Sequence, residues 1–129
     1  MDTNIAQNFA ALVDGTKYDE AAVLLAEECT YKYSEGKYQG RDHIINLYRQ
    51  NHEQLKKLFD EVVYASNVEG TADGIYKIEF FDKIRKGHTW HDFKSYQIVT
   101  VADGLITDIE HHEYPGETEL LRAFYSRYR

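Results

Sequence analysis

The segment Leu105–Tyr114, LITDIEHHEY, carries two adjacent histidines flanked by two glutamates. Imidazole is the side chain whose ordinary charge change falls between pH 5 and 8, and a neighbouring carboxylate can orient and tune it. On an extended chain successive side chains point to opposite faces. Ile109, His111 and Glu113 therefore share one face, and Glu110, His112 and Tyr114 share the other. In the preceding extended segment His91, Phe93, Ser95, Gln97 and Val99 share a face in the same way. A pair made of His91 and His111, backed by Glu113, is equipped for acid/base work near neutral pH. The same residues would serve equally as surface or interface histidines with satisfied hydrogen bonds. A bulge near Asp108 would move the register by one residue and present His112 in place of His111.

Other chemistry is less well served. His111 and His112 diverge on a strand, as do His88 and His91, and neither an HExxH nor a paired-cysteine spacing occurs, so no metal or other cofactor is expected. Cys29 lies beside Glu27 and Glu28, whose charges disfavour a thiolate, and reads as a buried structural cysteine. Phe9, Tyr33, Tyr48 and Trp90 are spaced either for core packing or for an aromatic ligand cage. Among them Tyr33 is the candidate for a polar role, because a buried phenol needs a partner.

Positioning these groups requires a definite order of elements. Asp2–Asp14 places Ile5, Phe9, Leu12 and Val13 on one helical face, with Gly15 as a left-handed stop. Thr16 offers a cap for a second helix over Tyr18 to about Glu27. Cys29–Tyr48 reads as a strand with Tyr31 and Tyr33 alternating, a second edge segment, and a helix start after Gly40 with Asp42 as cap. That helix runs from Arg41 to about Leu58, burying Ile44, Leu47, Tyr48, Leu55 and Leu58. The period then becomes two. Strands are expected over Asp60–Glu69, Ile75–Arg85, His88–Val101 and Leu105–Tyr114, separated by the turn signals Asp73-Gly74, Lys86-Gly87 and Asp103-Gly104. Pro115-Gly116 ends the meander, and Glu117–Tyr128 reads as a closing helix through Leu120, Leu121, Phe124 and Tyr128.

The 129 residues fit one domain, residues 1–129, with 43% hydrophobic and 29% charged residues. The net charge of −7 (15 Lys+Arg against 22 Asp+Glu) disfavours nucleic acid and anionic membrane. No apolar run approaches the ~20 residues of a membrane helix, and no signal segment is evident. A single cysteine fits a cytoplasmic setting. Eleven tyrosines suit a cavity wall or an interface.

The LVDG end of the first helix, LLAEECTYKY leading into the first strand, the GRDHIINLY helix start and the VADGLITDIEHHEY hairpin occur in that order across nearly the whole chain. In this the chain resembles the nuclear transport factor 2-like superfamily, in its SnoaL-like and ketosteroid-isomerase-like branches. The resemblance implies an α+β cone: three N-terminal helices on the concave face of a curved, mostly antiparallel sheet, with a short C-terminal helix. It implies a pocket between helices and sheet, lined here by Phe9, Tyr33, Tyr48, Gln97, Ile109, His111 and Glu113, with His111, His91 and Tyr33 as the catalytic candidates. It also implies a homodimer through the convex sheet face. By matched spacing the ketosteroid-isomerase donor, base and second donor fall on Phe9, Tyr33 and Gln97. Phenylalanine donates nothing and tyrosine, with an ordinary pKa of about 10, is a poor base, so steroid isomerisation is not expected.

Three functions remain open at this level. One is a metal-free isomerase, cyclase or hydrolase of a small, mainly apolar, carbonyl-containing substrate, with His111 or His91 as base and Tyr33 as an orienting donor. The second is a non-catalytic binding protein, and the third a dimeric interaction module with a vestigial pocket.

Overall fold

The computed structural model describes residues 2–127 and consists of α1 (Asp2–Asp14), α2 (Tyr18–Ala22), β1 (Leu25–Tyr33), β2 (Gly36–Gln39), α3 (Arg41–Leu58), β3 (Glu61–Ala72), β4 (Ile75–Lys86), β5 (Thr89–Ala102), β6 (Leu105–Glu113) and α4 (Glu117–Ser126). The six strands form one curved sheet in the order β2-β1-β6-β5-β4-β3. Every neighbouring pair is antiparallel except β1–β6, which is parallel. The fold is the expected α+β cone. Tyr128, expected on the closing helix, lies outside the described residues.

The concave face of the sheet carries the core. Ile78, Phe80, Val99, Ile106 and Ile109 are buried there against Ala6, Phe9, Ala10 and Val13 of α1 and Ile44 and Ile45 of α3. A helix with an apolar stripe and a sheet with one apolar face have no other way to remove both from water. α2 packs chiefly against α1 and α3. At the far end α4 closes a second cluster, with Phe124 stacked 6.0 Å from Phe59 and 5.1 Å from His91.

The local signals differ from the sequence reading at three places. α2 stops at Ala22, not Glu27, because Leu25 is needed in the sheet opposite Ile106. The left-handed residue after α1 is Thr16 (φ 57°), not Gly15, and Thr16 bonds back to the Gly15 carbonyl instead of capping α2. Asp42 lies in the first turn of α3, after Gly40 (φ 101°) at the cap position, and makes no capping bond. The Asp103-Gly104 hairpin behaves as its residues require, both having positive φ.

β6 contains a bulge at Thr107, where Thr100 and Val101 of β5 pair with Asp108 and Ile106. Ile106 and Ile109, three apart, are consequently both buried. The sequence reading took a bulge here as the route by which His112 would replace His111. Counted from Ile106, it does the opposite: it turns Ile109 and His111 inward and leaves Glu110 and His112 outside.

Candidate functional site

Between the helices and the concave face lie two adjoining cavities. The inner one, about 110 Å³, is walled by Val13 and Asp14 of α1, Tyr18 of α2, Leu47, Tyr48, Asn51 and His52 of α3, and side chains from five strands. The outer one, about 270 Å³, lies beneath α4 and is lined by Leu55, Ile84, Phe93, Glu113, Thr118 and Leu121. Asn51, Asp82, Ser95 and His111 belong to both and form the waist between them.

Strand register sets this waist. Asp82 of β4 lies between Tyr64 of β3 on the inner side and Phe93 of β5 on the outer side. Ser95 is flanked by Phe80 and Glu113, and Gln97 pairs directly with His111. Gln97, only 3% exposed, links α3 to β6. The Tyr48 hydroxyl donates to Gln97 Oε1 (2.7 Å), and Gln97 Nε2 donates to His111 Nδ1 (3.3 Å). This leaves the hydrogen of the neutral imidazole on Nε2, which faces Glu113 Oε1 at 3.9 Å. Tyr31 stacks on the His111 ring, centroids 6.1 Å apart and planes 17° apart.

Burial lowers the pKa of His111 from its ordinary 6.5, and Glu113 only partly opposes it, so the ring is neutral at neutral pH. Burial and the nearby Asp14 carboxylate raise Asp82 to about 7. Asp14 is also raised by burial, against the bond it accepts at Oδ2 from Ser66 (2.6 Å). Its Oδ1 is buried without a partner. Burial lifts Tyr18 to about 12 and pushes Tyr31, Tyr48 and Tyr64 up as well, so the phenols stay neutral donors. His52 Nδ1 meets the Tyr64 hydroxyl at 2.8 Å.

Of the residues singled out from the sequence, His111, Tyr48 and Gln97 line the inner cavity and Glu113 lines the outer one. Phe9 and Ile109 are buried in the core and line neither; Phe9 packs edge-on to Tyr48 at 5.8 Å. His91 is not brought to His111. It lies under α4 against Phe124, its Nε2 without a partner. Tyr33 is stacked on Tyr38 at 5.5 Å and borders a surface hollow instead of the cavity. Trp90 is 46% exposed beneath Arg85. Cys29 is fully buried, its thiol pushed up to about 12 by burial. Among the described residues no three His, Cys, Asp or Glu side chains come together as a metal site requires.

Asp14, Tyr31, Asn51, Tyr64 and Asp82 were missed. For Asp82 a signal existed. The alternation Tyr76, Ile78, Phe80, Ile84 skips residue 82, and a carboxylate at an inward-facing position of a buried strand demands an explanation.

No family model and no curated protein matches the sequence. Solved structures do match in fold. A proposed polyketide cyclase of Xanthomonas campestris pv. campestris superposes with a TM-score of 0.71 at 12% identity, over 99% of this chain and 96% of that one. An LEH-like epoxide hydrolase of M. tuberculosis gives 0.69 at 16% identity, over 98% and 93%. An NTF2-like protein of Cytophaga hutchinsonii gives 0.63 at 12%, over 94% and 95%.

Proposed function

We propose that this chain, built on the nuclear transport factor 2-like fold, is a small-molecule acid/base enzyme that enolises a small, mainly apolar carbonyl compound. Of the isomerase, cyclase and hydrolase classes, the waist geometry favours an isomerase or cyclase. The observation that carries the reading is the placement of Asp82 and a neutral His111 on the wall common to both cavities. Asp82, as carboxylate, takes a proton from the carbon next to the carbonyl. The C–H electron pair becomes the enolate double bond, and the charge developing on oxygen is met by His111 Nε2–H. Where the substrate has a double bond β,γ to the carbonyl, the enolate is conjugated and Asp82 returns the proton at the γ-carbon. Where it has a second carbonyl, the enolate carbon attacks that carbonyl and the Asp82 proton passes to the new alkoxide. We assign the base role to Asp82 and not His111 because the Gln97 amide occupies the His111 Nδ1 lone pair. Gln97, held by Tyr48, positions the imidazole and fixes its tautomer.

The fold supports a small-molecule pocket, and two structural neighbours carry names of a cyclase and an epoxide hydrolase. At such low identity these names support the class and not the substrate. The test is solvent exchange. Wild-type protein in D₂O, incubated with a panel of aliphatic ketones, should place deuterium at the α-carbon, and Asp82→Asn should stop it. Ligand binding with no exchange on any ketone would instead support a non-catalytic binding protein.

We further propose a single-domain cytoplasmic homodimer joined through the convex sheet face. A lone buried cysteine fits a reducing compartment, and no described helix is long and apolar enough to cross a membrane. On the convex face His112 stacks on Tyr96 (4.9 Å) and Lys77 lies over the Tyr96 ring (4.8 Å) beside Tyr114, an aromatic surface of the kind that interfaces enrich.

A further inference from the structure

The two cavities differ in chemistry as well as size. Outside the waist, the outer one is walled mainly by Leu55, Ile84, Phe93 and Leu121, and its two polar side chains satisfy each other, Thr118 Oγ1 donating to Glu113 Oε2 at 2.6 Å. The inner one is walled by tyrosines and by two carboxylates, Asp14 and Asp82, with neither Lys nor Arg in its lining. Ser66 occupies one oxygen of Asp14, and the other is buried with no partner. That oxygen has almost no accessible surface, but the carboxylates give the inner wall hydrogen-bond acceptors with no cation beside them, so it favours a donor and repels anions.

The geometry points to a bipartite ligand: a compact head that donates a hydrogen bond to the Asp14 carboxylate in the inner cavity, and an apolar tail beneath α4 in the outer one. Its carbonyl then lies at the waist between Asp82 and His111, and only this third element rests on the enolisation reading. The head is a hydroxyl or a protonated amine, not a carboxylate or phosphate. Its size is bounded by the inner volume. An apolar cavity of about 150 Å³ accepts benzene, so about 110 Å³ accepts a somewhat smaller group. The tail has more than twice that space, enough for several methylenes.

Unreactive probes test this without relying on catalysis. Heptan-1-ol, heptylammonium, heptanoate and methyl hexyl ether are titrated into the full chain and followed by NMR. The alcohol or the ammonium should bind at least about tenfold more tightly than the donor-free ether, with heptanoate the weakest, as expected for one filled acceptor. Asp14→Ala should erase that preference. Asp14→Asn separates the two heads, keeping the alcohol and losing the ammonium. Shortening the alcohol should weaken binding by about fourfold per methylene until the outer cavity is vacated, and Leu121→Phe or Leu121→Trp should flatten that series. Equal binding of ether, alcohol and ammonium, or tightest binding of heptanoate, overturns the head assignment, and a flat series in the wild type overturns the tail. Both results come from the unaltered protein, so a variant that fails to fold does not rescue the proposal. Absence of deuterium exchange alongside these preferences would sink the enolisation reading alone.

Discussion

Asp82 must be ionised to act as base, and burial places that change near pH 7. His111 must be neutral, which its lowered pKa secures over the same range. kcat/KM should therefore rise with pH, reach half its maximum near 7 and stay flat into the alkaline range. A fall above pH 7 would mean that Asp82 works as an acid. Stability moves the other way. The folded pKa of about 7 lies above the ordinary 3.8, so between these values the native state holds a proton that the unfolded chain has released. Stability falls as pH rises through that window. Asp82→Asn should thus stabilise the protein at pH 8, by up to about 4 kcal/mol at 1.36 kcal/mol per unit, and scarcely at pH 4, as thermal melts at the two pH values would show. The positions of His111, Gln97 and Tyr48 were legible through the family resemblance, which says which face of the strands looks inward; alternation alone only ties together the residues that share a face. Asp14 was not legible, because a carboxylate at the end of a helix reads as surface until tertiary packing buries it, and Asp82 was legible only as the gap in its strand's apolar alternation.

At the scale of elements, α4 is the roof of the outer cavity, held by the Thr118–Glu113 bond and by the Lys94 amide donating to Glu117 Oε1 at 2.8 Å. Phe124, 1% exposed, anchors it. Phe124→Ala should cost about 3–5 kcal/mol in denaturant unfolding and loosen the tail site along with the fold. His91 beneath it buries an unpartnered nitrogen, so His91→Phe should be neutral or stabilising by about 1 kcal/mol in the same measurement. The long elements were legible to within a few residues because their periods are unbroken. α2 was overextended because the run from Ala21 to Ala26 has helix-forming residues throughout, and only the pairing of Leu25 with β6 takes its second half into the sheet.

For the whole molecule, the order of helices, edge hairpin and meander carried enough information to identify the cone. It carried little about assembly or chemistry, which depend on surfaces and on side-chain identities that the fold tolerates freely. The proposed dimer predicts a light-scattering mass twice that of the chain at tens of micromolar, with Tyr96→Glu giving the monomer. A monomeric wild type at that concentration would contradict it. Steroid double-bond isomerisation should be absent or very slow in a spectrophotometric assay. Phe9 has no donor, and Cys29, Tyr31 and Tyr33 leave β1 without a carboxylate on its inward side.

The bulge at Thr107 gives this cavity a parity. The residues after it are read in one of two frames, and one inserted residue chooses between them. Deleting Thr107 would heal the bulge and keep the frame, with Ile109 and His111 still inward. Pairing the unaltered β6 without its bulge would change the frame: a histidine would still enter the cavity, since His112 would face inward instead of His111, with acidic Glu110 instead of apolar Ile109. A strand regularised in that way would retain the composition of a working site and lose its wiring: the ionisable groups would stand transposed around the Gln97 amide. A count of histidines and carboxylates along the strand would treat the two forms as equivalent.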